Sequence, residues 1–250
     1  TSNSGSFAGP TGRWVAKKLY IPSCWTNGNC SDYLVPSPND IALFTLKPKG
    51  GATPYDYGFH YLNYGWNNQG FTNNSDPFGV INKNIRGQIT TLGYPAYLGD
   101  KANNRGGTMI RTDSLSFLDT ESDSVLGTFD QYYWGSSQTG GSSGSPVIIN
   151  FGYKPNYNTT FRNPGNFVAE NVVVSNVSWG YCNGANDCTL NQTIHVQGGS
   201  PFGQNDEYPR RAYRDSAGEN WGAGNIGFLM RKVCGENFGR GQANGICLKN

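Results

Sequence analysis

The sequence predicts an all-β protein, a sandwich or barrel of short strands. Three observations predict it. Runs rich in β-branched and aromatic residues recur along the chain, separated by clusters of Gly, Asn, Pro and Asp. Helical periodicity is confined to one stretch near the C-terminus. No repeat of fixed length is visible, which argues against propellers and solenoids.

In chain order the strand-like runs are residues 13–21, 41–46, 88–93, 108–118, 124–134, 146–151, 172–179 and 193–196. The run at 146–151 holds Val147, Ile148 and Ile149 after Pro146 and reads as an apolar strand. The Tyr-, Asn- and Gly-rich tract 50–84 reads as a long surface excursion, and similar loops are expected at 154–167 and 198–224. Ile226, Leu229, Met230 and Val233 follow the i, i+3, i+4, i+7 rule, so a helix is expected over 225–234.

At 250 residues the chain is long enough for one large domain or two small ones. Only 14% of residues are charged, while Gly (35) and aromatics (14%) are plentiful, a composition that excludes a disordered chain. The net charge of +2 comes from scattered Lys and Arg without a basic run, so nucleic acid is not an implied partner. No segment approaches the ~18 consecutive apolar residues of a membrane span, and no membrane partner is expected. The chain opens Thr1-Ser2-Asn3-Ser4-Gly5, without Met or an apolar signal region, and an upstream segment is expected to exist.

Six cysteines form three near pairs: Cys24 with Cys30, Cys182 with Cys188, and Cys234 with Cys247. Bridging within each pair is the economical reading and favours an oxidising, secreted (extracellular or periplasmic) setting. A metal site is disfavoured, because no CxxC spacing occurs and only two histidines are present. Asn-x-Ser/Thr sequons begin at Asn29, Asn73, Asn158, Asn176 and Asn191, and carry little weight in so Asn-rich a chain.

The most informative stretch is Thr139-Gly140-Gly141-Ser142-Ser143-Gly144-Ser145-Pro146. Glycines on both sides of a serine let the backbone turn tightly and aim two N–H groups at one point. The stretch resembles the Gly-x-Ser-Gly-Gly/Ser-Pro nucleophile loop of trypsin-like serine endopeptidases. Two further segments share the resemblance in the family's order. Asn39-Asp40-Ile41-Ala42-Leu43 is similar to its Asp-Ile-Ala-Leu segment, and Val177-Ser178-Trp179-Gly180 to its Ser-Trp-Gly segment.

The resemblance implies a residue for each part of a site. Ser143 would be the nucleophile and Asp40 the carboxylate that orients and charges the catalytic histidine. The N–H groups of Gly141 and Ser143 would form the oxyanion hole. Ser137, Gln138 and Thr139 would floor the substrate pocket, with Ser178, Trp179 and Gly180 as one wall. The implied fold is two six-stranded antiparallel barrels with the site in the cleft between them and a short closing C-terminal helix. Residues 1–90 would be the remainder of the first barrel and 91–250 the second. No cofactor is implied, and the expected partner is a protein or peptide substrate. The uncharged pocket residues disfavour a preference set by an Asp in its floor.

One member of the triad is missing. Trypsin-like triads place His about 45 residues before Asp, but only 39 residues precede Asp40 and none is His. His60 lies in the Tyr-rich tract and reads as a surface or packing residue. His195 has a structural role, or lies near the specificity pocket and favours an acidic substrate side chain. The general base is therefore expected on an upstream fragment of the same precursor. Without it the first barrel should show unpaired edges and half a core. Ser142 stands where chymotrypsin-like zymogens carry an Asp that pairs with a new amino terminus, and a neutral Ser cannot form that ion pair. The readings that compete with a serine endopeptidase are a non-catalytic protease-fold binding module and a hydrolase acting on another acyl group.

Overall fold

The computed structural model describes residues 12–30, 36–59, 61–66, 85–98, 100–104, 107–124, 127–152, 169–182, 195–209 and 212–236. Near the N-terminus, β1 (Ala16–Tyr20) and β2 (Leu43–Leu46) pair as an antiparallel ribbon, with Leu19 opposite Phe44 and Tyr20 opposite Leu43. Between them, α1 (Cys24–Asn27) is a single turn that stops at Gly28 in the left-handed conformation. The expected Cys24–Cys30 disulfide is formed and closes this turn. Cys234 is also disulfide-bonded, while the Cys182 side chain, Cys188 and Cys247 lie outside the described residues.

The remaining strands are β3 (Asn63–Tyr64), β4 (Ile85–Gly93), β5 (Tyr97–Leu98), β6 (Asp100–Asn104), β7 (Ile110–Asp123), β8 (Gly127–Gly135), β9 (Pro146–Ile149), β10 (Val172–Cys182), β11 (His195–Pro201), β12 (Ala212–Arg214) and β13 (Asn220–Ala223). Six of them close an antiparallel barrel in the order β4, β7, β8, β11, β10, β9, with β9 returning to β4. β3 runs parallel to the first residues of β10. The pairs β5–β6 and β12–β13 are separate two-stranded sheets. α2 (Gly224–Met230) follows β13 directly and continues as a π-helical turn, Arg231–Glu236.

Strand alternation explains the layers. Val172 and Val174 point into the barrel, where they pack with Ile89, Leu118, Tyr132, Trp134, Val147 and Ile149. Val173, between them, points outward to a second cluster built on Ile41, Phe202, Ile226, Leu229 and Val233. A strand buried on both faces needs no polar alternation, which is why Val172-Val173-Val174 reads as a continuous apolar run. The helical periodicity has the same origin: Ile226, Leu229 and Val233 form the stripe that α2 and its π-turn bury, with Met230 at its edge.

Each expected strand run overlaps an observed strand, but three expectations change. Residues 198–224 are not a single loop: they hold the end of β11 and the β12–β13 hairpin. The glycines that suggest a loop are required by close approach. A Cβ on Gly198 would collide with the Trp179 ring, and one on Gly199 would lie 2.6 Å from Asn176 O. The tract 50–84 is not all surface, since Tyr64 and Trp66 pack on the outer cluster. The boundary expected at residue 90 falls inside β4, and among the described residues the N-terminal part forms the β1–β2 ribbon rather than a closed barrel. The loop expected at 154–167 lies outside the described residues.

Asn225 ties these layers together. It is fully buried, its Oδ1 accepts from Gly203 N (3.0 Å) and Ile226 N (2.6 Å), and its Nδ2 donates to Pro38 O (2.9 Å) and Pro201 O (3.1 Å). One amide thus joins the start of α2, the end of β11 and the segment before Asp40. Asn225→Ala leaves four buried backbone groups without these partners, so a loss of about 2–4 kcal/mol is expected in chemical denaturation of the full chain.

Candidate active site

The three sequence segments that resemble a protease site converge at the middle of β10. Pairing of β10 with β11 slips between Val177 and Trp179, leaving Ser178 as the extra residue of a bulge. A bulge redirects the side chain it carries, and the Ser178 Oγ donates to Asp40 Oδ2 at 2.6 Å. Asn176 Nδ2 donates to the Asp40 carbonyl at 2.9 Å. Both partners lie on β10, so Asp40 is fixed to the barrel although it comes from the segment leading into β2. The Asn176 amide of the sequon is thus committed to an internal contact.

The residues before Asp40 are held as closely. Asn39 is buried; its carbonyl accepts from Trp25 Nε1 (2.7 Å), its Nδ2 donates to Glu207 Oε2 (2.8 Å) and its Oδ1 accepts from Asn205 Nδ2 (2.8 Å). The other Glu207 oxygen accepts from Cys24 N (3.2 Å) and from Ser23 Oγ. Ser23 N donates to Tyr208 OH (3.1 Å), and burial pushes that phenol up to about 12, so it stays neutral. Ser200 Oγ donates to the Ser37 carbonyl. A carboxylate preceded by such a clamp has little freedom to leave its partner.

The serine loop is built by turns. Ser142 N donates to Thr139 O (3.3 Å) and Ser145 N to Ser142 O (3.0 Å). Gly144 N donates to Val177 O (2.8 Å) and Val177 N to Ser145 O (2.9 Å), which fastens the loop to β10 one residue before Ser178. Gly141 has φ +97°, and a Cβ there would lie 2.9 Å from Tyr94 O, so glycine is demanded twice. Ser143 is exposed while Ser142 is buried. The N–H groups of Gly141 and Ser143 have no acceptor among the described residues.

Asp40 and Ser143 line one cavity of about 710 Å³, together with Ile41, Phe44, Val177 and Phe202. Among the described residues no histidine lines it. His195 starts β11 opposite Cys182, and its carbonyl accepts from Ser136 N at 3.1 Å. His60 lies outside the described residues.

The residues expected in the substrate pocket divide. Ser137 and Gly180 are exposed. Thr139 pins β5, its Oγ1 donating to Tyr97 O (2.8 Å) and accepting from Tyr97 N (3.0 Å). Gln138 turns inward, its Nε2 donating to Thr112 Oγ1 (2.9 Å), Thr91 Oγ1 (3.3 Å) and Ile110 O (3.3 Å). The Trp179 ring lies over Gly198, edge-on to Tyr133 at 5.5 Å, and its Nε1 donates to Gln131 Oε1 (3.1 Å). Sequence reading misses Asn176 and Gln197, which contact Asp40 and Ser142. An amide side chain inside a strand is the one local sign of either.

The glycine contacts supply a test of the Trp179 wall. Gly198→Ala drives a methyl into the indole and is expected to destabilise the chain by about 1–3 kcal/mol. Gly180→Ala meets nothing closer than 3.7 Å and should shift stability by under about 0.5 kcal/mol, both measured by denaturant unfolding. Comparison with protein-family models, with curated proteins and with solved structures found no match to this chain.

Proposed function

We propose that the chain is the larger part of a secreted serine endopeptidase of the trypsin-like family, with Ser143 as nucleophile and Asp40 as the triad carboxylate. The observation that carries this reading is the double use of one bulge. Val177 fastens the serine loop while Ser178 holds the Asp40 carboxylate, so the two groups face one cavity although far apart in sequence. The finer fold belongs to the same proposal: the closed barrel is the second of a trypsin-like pair, and the β1–β2 ribbon belongs to the first.

The general base is a histidine on another segment of the same precursor, docked between Asp40 and Ser143. The ribbon supports this: Leu19 and Phe44, directly opposed, are 59% and 61% exposed, and Val15 is 58% exposed. Apolar side chains of that size on a two-stranded ribbon call for a covering partner. The cavity beside them, lined by Ile41, Leu43 and Phe44, is the space such a segment would fill.

In the proposed reaction the histidine accepts the Ser143 Oγ proton as the oxygen bonds to the peptide carbonyl carbon. The carbonyl oxygen takes the negative charge and receives hydrogen bonds from the Gly141 and Ser143 N–H groups. The imidazolium then gives its proton to the leaving amine, the C–N bond breaks, and water hydrolyses the acyl-enzyme by the reverse transfers. Asp40 holds the histidine tautomer, and Ser178 holds Asp40. No cofactor enters. The residues named for the pocket are uncharged, which disfavours a preference set by an Asp in its floor.

The test uses protein purified from its precursor with every retained segment, treated with a serine-directed phosphonate and mapped by mass spectrometry. The expected result is an adduct on Ser143, abolished in Ser143→Ala. Asp40→Asn should lower kcat by about 10⁴-fold, since the histidine then takes the wrong tautomer. Absence of any adduct in the intact protein would overturn the reading and leave the non-catalytic binding module as the alternative. In a matched kinetic series, Ser178→Ala is expected to lower kcat by about tenfold through a less firmly held Asp40, with KM little changed.

A further inference from the structure

We propose that Gln197 is a positioning residue for the oxyanion loop, acting through Ser142; the inference rests on the serine endopeptidase reading. Ser142 lies between the two N–H groups assigned to the oxyanion hole. It is 2% exposed, and its side chain anchors a loop whose neighbours Gly141 and Ser143 face solvent. What holds Ser142 therefore sets the direction of both N–H groups.

A hydroxyl has one proton to give. Ser142 Oγ gives it to Thr139 O at 2.8 Å. The contact of 2.7 Å with Gln197 must then be a donation from the Gln197 amide N–H to the Ser142 oxygen. A directed chain results, from Gln197 Nε2 through Ser142 Oγ to Thr139 O. Thr139 is itself fixed to Tyr97 on both sides of its hydroxyl. The chain runs from β11 of the barrel wall through Ser142 to Thr139, which is tied to β5, so Ser142 is held by two separate parts of the structure.

Gln197 is 3% exposed, and its Oε1 has no hydrogen-bond partner among the described residues. A buried acceptor left unsatisfied is unfavourable, and an apolar side chain of the same length would avoid it. The amide at this position is accounted for by its donor, which meets the one residue between the two oxyanion N–H groups. Catalytic donors of this kind work only when held at hydrogen-bond distance from the oxygen they stabilise. Neither Gln197 nor Ser142 titrates near neutral pH, so this positioning is independent of pH and of any charged amino terminus.

The experiment measures kcat and KM for precursor-derived wild-type protein, Gln197→Met, Ser142→Ala and the double variant. Melting temperatures establish that each is folded. Gln197→Met keeps the volume and removes the donor; Ser142→Ala leaves β11 untouched and decides the matter if the first variant does not fold. Each single variant is expected to lose about 10- to 100-fold in kcat with KM within about threefold, since the loss falls on the transition state. The double variant should be no worse than the poorer single, because both break one chain.

The proposal is overturned if kcat stays within about twofold of wild type, if the loss appears in KM, or if the single losses multiply. Wild-type protein with no Ser143-dependent turnover fails the endopeptidase reading and takes this proposal with it. Wild-type turnover with unaffected variants fails this proposal alone.

Discussion

The bulge at Ser178 is the constraint on which the arrangement depends. A regular β10 would present residues 176 to 180 with strict alternation, and Ser178 would then face the same side as Asn176 and Gly180 in fixed register with β11. The slipped pairing instead lets Val177 keep its place in the barrel core, bond the serine loop through its backbone, and leave Ser178 free to reach Asp40. Two consecutive residues thus serve the core, the loop and the carboxylate.

Around that point the fold is held by two kinds of contact. The barrel encloses Tyr132 and Trp134, which are essentially inaccessible, and burial raises the Tyr132 phenol so that it remains neutral there. Outside the barrel, polar side chains rather than apolar packing fix the approach to Asp40: Asn225, Asn39, Glu207 and Ser200 each bind backbone or amide groups of different segments. Irregular backbone held by buried amides can keep one geometry where a strand ladder is absent.

Much of this was legible in the sequence because it is written locally. The helix over 225–234 follows from four apolar residues at helical spacing, and the Cys24–Cys30 bridge from the shortness of its loop. The Gly-flanked Ser143 and the Asn39-Asp40-Ile41 segment stand out as short motifs, which the structure gathers at one cavity. What was not legible is pairwise and distant. Nothing near Gln197 announces Ser142, and nothing near Asn225 announces Pro38, because a hydrogen bond between remote residues leaves no periodic trace. Gly198 and Gly199 misled in the other direction: glycine is ambiguous between a turn and a close approach, and only the positions of Trp179 against Gly198 and of Asn176 against Gly199 resolve it.

Barrel closure has a consequence for the order of folding. Two long-range pairings complete the ring: β9 with β4, which sets Ile148 against Thr90 across everything from β5 to β8, and β11 with β8, which sets Val196 against Gly135. Contacts between remote segments form late, since the loop between them must be ordered first. The serine loop leads into β9 and is fastened to β10 by Val177, so its geometry waits on both pairings. In a partly folded chain without these pairings Ser143 and Asp40 are therefore not expected to face one another, and the site forms as the ring closes.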